Sequence, residues 1–208
     1  MDMGVVKVVA FVVVTGALLA FSRRWLMDPK AHGFWRFLLF ETDLVLILVN
    51  LESWFRNPFG PPQLVSWILL AASALLPVYG WATLRGRGRP KGHFENTRKL
   101  VTAGPYRHIR HPMYASLFYL AWGAFLKDVT AGSALLVVLA TVFAVVLARV
   151  EEAEMRTKFG RAYEAYARTT NMFLPFPGIW GAGRAGKVEY HRRTSGTPRR
   201  LPRTGGLR

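Results

Sequence analysis

Charge and apolarity are separated along this chain, and that separation limits it to folds whose solvent is lipid. Residues 3–21, 34–55, 62–84, 112–126 and 129–150 are apolar runs, with lysine and arginine gathered between them. Most of the runs approach the ~20 residues that a helix needs to cross a bilayer. A soluble domain carrying a net charge of +16 with 51% hydrophobic residues would spread that charge around its core. The expected fold is therefore all-α: a polytopic membrane helical bundle of about five transmembrane segments. The first run lacks a small-x-small cleavage site, ends on Phe21-Ser22-Arg23-Arg24, and is expected to be a retained span rather than a signal peptide.

Cysteine is absent, so no disulfide framework or thiolate metal site can form. The five histidines (32, 93, 108, 111 and 191) lack the paired helical spacing of a zinc site, and no metal is expected.

Basic residues in short loops mark the cytoplasmic side. They are dense after the first run (Arg23, Arg24, Lys30, Arg36), sparse after the second, and dense again after the third from Arg85 to Arg110. Only Lys127-Asp128 lies between the fourth and fifth runs. The alternation predicts a multi-pass protein of the inner or plasma membrane, amino terminus outside and carboxyl terminus cytoplasmic. It also brings His111-Pro112 and Glu151-Glu152 to one face. The fourth run has 15 residues, which at ~1.5 Å each give about 22 Å against a hydrocarbon core of about 30 Å. Its cytoplasmic mouth is therefore expected to be recessed.

Beyond the fifth run, residues 151–170 predict a cytoplasmic amphipathic helix: Met155, Phe159, Ala162, Tyr163 and Tyr166 recur at helical spacing opposite Arg156, Lys158, Arg161, Glu164 and Arg168. Gly160 weakens it locally. Three regions follow: a three-span bundle over 1–90, a cytoplasmic loop, hairpin and amphipathic helix over 91–176, and a basic tail over 177–208. The tail suits anionic lipid; its signal does not point to nucleic acid.

The polar chemistry concentrates in Gly104-Pro105-Tyr106-Arg107-His108-Ile109-Arg110-His111-Pro112-Met113-Tyr114. Pro112 suits the first position of a helix, which puts His111 at its cap beside the free N–H groups of Met113 and Tyr114. Such an end, flanked by Arg110, can receive a carboxylate or phosphate. Alternatively, His111 only caps the helix and the arginines touch lipid phosphates. Glu152 has Arg149 and Arg156 within helical reach, and Glu154 has Lys158. Glu151 has no cation on its own helix; it wants one from elsewhere, either a loop arginine or a ligand. Together the two segments offer both signs of charge at one mouth, as a zwitterionic or sulfonium-bearing ligand requires.

Gly-Pro-Tyr-x-x-x-Arg-His-Pro-x-Tyr at 104–114, Glu-Glu at 151–152 and Phe-Gly-x-x-Tyr-x-x-Tyr at 159–166 resemble the isoprenylcysteine carboxyl methyltransferase and phospholipid methyltransferase superfamily over residues ~96–176. The first three runs match only in being apolar. The resemblance implies an integral-membrane methyltransferase using S-adenosylmethionine, with the cofactor pocket at the cytoplasmic ends of the last two spans. Tyr106, His111, Pro112, Tyr114, Glu151 and Glu152 would bind the cofactor. Two positions depart from the family pattern: Ser116 stands where many members have glycine, and the segment before Pro175 lacks a basic residue often found there.

The implied acceptor is a lipophilic small molecule, a lipid or a lipidated peptide, foremost an isoprenylcysteine-type carboxylate. A carboxylate needs a cation such as Arg107 or Arg110 to orient it; an amine, as in phospholipid N-methylation, needs a base such as His108 or His111. An NADPH-dependent sterol-type reductase carries a similar Arg-His-Pro-x-Tyr block and is the rival enzyme. A lipid-binding scaffold is the non-enzymatic alternative. Glu41, Asp43 and Asn50 in the second run face either a substrate channel or structural partners.

Overall fold

The computed structural model describes residues 2–23, 26, 32–88 and 99–175. The basic tail at 177–208 and the expected boundary near residue 90 lie outside the described residues.

Six α-helices make up the described chain: α1 (Met3–Ser22), α2 (His32–Asn50), α3 (Pro61–Arg87), α4 (Pro112–Phe125), α5 (Ala131–Phe159) and α6 (Arg161–Thr169). The first five coincide with the five apolar runs. Three of them, α1, α3 and α5, are long and apolar enough to cross a membrane. Helix α2 carries Arg36, Glu41 and Asp43 within its length. The 14 residues of α4 reach only about 21 Å. Both serve as the inner packing partners of the longer helices, α2 against α5 and α3 against α4. The core is small-residue rich: Ala115, Ala121, Ala124, Ala140, Ala144 and Ala148 are buried with Leu39, Leu46 and Leu147. Such residues let helix backbones approach closely in lipid.

Polar side chains close the end of the bundle opposite His111. Asn50 donates to Ala124 O at 2.8 Å, Ser66 to Gly123 O at 2.6 Å, and Gln63 to Lys127 O at 3.1 Å. The carboxyl end of α4 thus has partners for carbonyls that a helix leaves open. Lys127 is buried with its Nζ 3.4 Å from the ring centre of Trp67 and 5.6 Å from that of Trp54, a cation–π seat. Helix α5 starts with a reciprocal cap between Thr130 and Ser133.

Helix α1 leans on α2 through Thr15 to Glu41 at 2.8 Å, and on the turn after α2 through Lys7 to Glu52 at 2.7 Å. Asn50 has a structural partner, and Asp43 is buried about two turns earlier on α2. Neither lines the cavity described below.

The expected single helix over 151–170 is in fact two. Gly160 has φ +52° and ends α5, and α6 restarts at Arg161 at a new angle. An L side chain is strained at such a φ. On α6, Tyr163 is buried and Tyr166 half-buried while Arg161, Glu164 and Arg168 are exposed.

Gly104, φ +61°, opens the 3₁₀ turn Gly104–Arg107 that leads into α4. A Cβ there would stand 2.7 Å from Thr83 Oγ1 of α3. Gly104→Ala is therefore expected to destabilise by about 1–3 kcal/mol, more than Gly160→Ala, which has open space around it. Thermal unfolding in detergent should show the larger loss at residue 104, partly restored by adding Thr83→Ala.

Candidate active site

The site begins with a carboxylate that water cannot reach. Glu152 of α5 has 0% exposure, and a lone charge so buried is costly unless paired and hydrogen-bonded. Arg110 supplies the pairing: its Nε and one terminal nitrogen both lie 2.9 Å from Glu152 Oε1. Its other terminal nitrogen donates to the carbonyls of Ala167, at 2.8 Å, and Thr170. Arg156 holds Glu152 Oε2 at 3.0 Å, with Arg149 at 3.9 Å. One guanidinium thereby ties the approach to α4, the end of α5 and the end of α6 together.

That tie positions His111. It occupies the cap position of α4, as expected, but its imidazole makes no cap hydrogen bond. The ring instead lies between the two glutamates, Nδ1 3.9 Å from Glu151 and Nε2 3.5 Å from Glu152. It stacks on Tyr114, centroids 5.6 Å apart and planes 12° apart. The two segments that the sequence singled out, some 40 residues apart, therefore meet.

A short backbone pairing holds the loop from the other side. Arg110 N–H donates to Asn171 O at 2.7 Å and His111 N–H to Met172 O at 3.2 Å. Tyr119 donates to Phe173 O at 2.8 Å, and the Phe173 ring stacks on Phe118. Thr170–Phe173, conspicuous in the sequence for lacking a basic residue, braces the His111 loop with its backbone. Ser116 donates to Met113 O at 2.6 Å within the first turn of α4 and does not line the cavity.

The cavity gathers the carboxyl ends of α1, α3 and α5 with the amino ends of α2 and α4, and encloses roughly 780 Å³. Ligand pockets span about 300–1,000 Å³. Tyr106, Arg110, His111, Pro112, Tyr114 and Glu151 line it, joined by Met113, Leu117, Met155, Phe159, Tyr163 and Tyr166. Glu151 keeps 31% of its side chain exposed and is the carboxylate of this lining.

Three residues expected at the site stand elsewhere. Arg107 and His108 are exposed and outside the lining, while Tyr106 and Ile109 of the same stretch are buried. Glu152 is sealed beneath the cavity wall and consumed by its arginines. Arg110 lines the cavity, but its donors are committed to Glu152 and two carbonyls. Glu154, expected beside Lys158, meets His32 Nδ1 of α2 at 3.2 Å.

Three phenols surround the buried charges. Tyr166 donates to Tyr106 O at 2.6 Å. Burial, with Glu151 and Tyr166 nearby, holds the Tyr106 phenol far above its ordinary range. Burial and then the neighbouring Tyr163 raise Tyr166 likewise. Burial first, and then Glu152, push Tyr163 up to about 12. The neutral phenols are the stable forms here, as sites that disfavour anions require.

The sequence model described as phospholipid methyltransferase matches residues 62–162, from the start of α3 to the first turn of α6. A methanethiol S-methyltransferase of Pseudomonas sp. (strain GM41(2012)) is 30% identical over 70 residues, 34% of this chain and 26% of its own. A probable protein-S-isoprenylcysteine O-methyltransferase of Oryza sativa subsp. indica is 37% identical over 92 residues, 40% of this chain and 44% of its own. Over residues 62–162, a little under half of its length, the chain is thus similar to the phospholipid methyltransferase family. Its long apolar helices and this likeness mark it as a membrane protein, and it spans less than half the length of these relatives. No solved structure matches. The family match reaches back through α3, further than the motifs around 96–176 suggested, and stops at residue 162.

Tyr163 generates a test. Its phenol is neutral in the folded state to about pH 12 but ionises near 10 when unfolded. The stability it contributes is complete below pH ~10 and is lost as pH rises through the folded value. Tyrosine absorbance titration should show a step near pH 12 that Tyr163→Phe removes, and Tyr163→Phe should flatten the alkaline loss of stability. A Tyr163 step near 10 would contradict the burial.

Proposed function

We propose that this chain is an integral-membrane methyltransferase that moves a methyl group from S-adenosylmethionine to a lipophilic acceptor, foremost an isoprenylcysteine-type carboxylate. The observation that carries the reading is the single cavity in which Glu151, His111 and the first turn of α4 converge. The residues suit the donor's groups: a partly open carboxylate for an amine, an uncapped helix start for a carboxylate, and aromatic rings for a cation. The Tyr163 hydroxyl adds a buried polar atom without a hydrogen-bond partner among the described residues.

Glu151 would take the donor's amino group. The N–H groups of Met113 and Tyr114, with His111, would take its carboxylate. Tyr106 and Tyr114 would flank it. When bound, S-adenosylmethionine supplies an electrophilic methyl group on a sulfonium centre. Leu117, Met155 and Phe159 keep water from the site, which favours a reaction in which opposite charges disappear. Most of the acceleration would come from holding the two partners in line. A carboxylate acceptor requires no base. For an amine or thiol acceptor, His111 is the imidazole of the lining, and His108 stands too far out to serve.

The basic residues at the cavity end, Arg23, Arg36, Arg85 and Arg87 among them, support a cytoplasmic cavity with the amino terminus outside. The oligomeric state plays no part in the reading.

Glu151→Gln keeps the shape of the site and removes a charge. Its affinity for S-adenosylhomocysteine, measured by calorimetry, should fall about 10- to 100-fold, the worth of a charge-assisted hydrogen bond. Unchanged affinity would take Glu151 out of the site. Membranes incubated with methyl-labelled donor should yield base-labile label in a lipophilic product. Label stable to base would mean a nitrogen or sulfur acceptor, and absence of label with no donor binding would refute the activity.

A further inference from the structure

Two long helices that start together at the far end of the bundle measure where the bilayer stops at the cavity mouth. Gln63, in the first turn of α3, donates to Lys127 O just ahead of α5, so the two helices begin at one level. A hydrocarbon core of about 30 Å takes about 20 helical residues. On α3 that stretch runs from Pro61 to Gly80 and leaves Trp81, 39% exposed, at the boundary, where an indole ring is at home. On α5 it runs from Ala131 to Val150 and leaves Glu151 there. The headgroup layer beyond is about 5–8 Å deep.

Three elements around the mouth carry an arginine into that layer. Arg87 ends α3, about 9 Å past Trp81. Gly104 packs against Thr83 of α3, which brings the 3₁₀ turn and its Arg107 to the same depth. The end of α6 returns there too, because Arg110 holds the carbonyls of Ala167 and Thr170 while it pairs with Glu152 at the boundary. Arg168 lies between those two carbonyls in sequence. Arg87, Arg107 and Arg168 are exposed and have no ion-pair or hydrogen-bond partner among the described residues. Each shares its turn with a residue of the cavity lining: Leu84, Tyr106 and Tyr166. Glu164 is the exposed acid of α6, and three arginines outweigh it.

We infer that Arg87, Arg107 and Arg168 form a collar around the cavity mouth that binds the phosphates of anionic lipids in the adjoining leaflet. Their depth favours a lipid over a water-borne acidic protein, since all three guanidinium groups reach the layer that holds the phosphates. A guanidinium meets a phosphate through two parallel N–H donors. A zwitterionic headgroup brings its own ammonium to compete for that phosphate, whereas an anionic one leaves its charge to the arginines. The collar gives a role to Arg107, which stands outside the lining. It also fixes the mouth at headgroup depth, where a molecule held in the same leaflet meets the cavity at its own level. None of this depends on the methyltransferase reading.

Native mass spectrometry of the full-length protein, released from micelles holding equal parts of phosphatidylglycerol and phosphatidylcholine, counts the lipids of each kind that it retains. Wild type should retain the anionic lipid over the zwitterionic one by at least about fivefold, the weight of one arginine near a charged surface. Arg87→Gln, Arg107→Gln and Arg168→Gln combined should cut that ratio at least about threefold, with each single variant taking a share. Lysine at all three positions keeps the charge and should keep most of the ratio, and thermal unfolding of every variant checks that it folds. No anionic preference in wild type overturns the inference. A preference that the triple glutamine variant keeps in full overturns it too, assigning the lipid to other basic segments; should that variant not fold, a preference unchanged in all three single variants has the same force. Poly-glutamate that binds wild type but not the triple variant, with the lipid ratio unchanged, would give the arginines to an acidic protein instead. S-adenosylhomocysteine takes no part in the readout, so the collar and the methyltransferase reading fail separately.

Discussion

The Arg110–Glu152 pair is the constraint on which the rest of the site depends. Burying a carboxylate completely is unfavourable on its own, and Glu152 is tolerated because a guanidinium meets it from another part of the chain. That guanidinium must then also satisfy its remaining donors, and it does so on the carbonyls that end α6. Three segments distant in sequence acquire one geometry. The imidazole of His111 and the carboxylate of Glu151 inherit their positions from it, facing the cavity that Glu152 does not reach.

Adjacent glutamates consequently do different things. Successive residues on a helix lie about 100° apart, so Glu151 and Glu152 cannot face the same way. The sequence shows that Glu152 has cations at i−3 and i+4 and Glu151 has none. The structure turns that difference into one residue bound by its protein and one open to a ligand. A comparable division runs through the Tyr106–Arg110 stretch. Tyr106 and Ile109, three residues apart, are buried, and Arg107 and His108 are left in solvent.

The helices were legible because lipid imposes length and apolarity on them, and α1 to α5 follow the apolar runs, with α5 continuing to Phe159 beyond its run. Charge alternation put His111 with Glu151 and Glu152 on one face, and the structure brings them within 3.9 Å. Other features were not legible, for physical reasons. Nothing in the sequence marks where the short 3₁₀ turn Gly104–Arg107 begins and ends, so Arg107, His108 and Arg110 looked equivalent. The brace from Thr170 to Phe173 works through backbone groups, which every sequence possesses. The break at Gly160 depends on a positive φ that a glycine permits but does not require. Arg23 and Arg36 read as ordinary loop charges until α1 and α2 bring them over the cavity. The family likeness runs from α3 to the first turn of α6 and leaves out the α1–α2 corner.

The most direct measurement is a double-mutant cycle on Arg110 and Glu152, read as equilibrium unfolding of the purified protein in mixed micelles. Arg110→Met strands a buried carboxylate, and Glu152→Gln strands buried guanidinium donors. The account predicts that each single variant is strongly destabilised and that the double variant is much less so than their sum, with a coupling of about 1.5–3 kcal/mol. Losses that add to within about 0.5 kcal/mol would contradict it, since the two side chains would then not depend on each other.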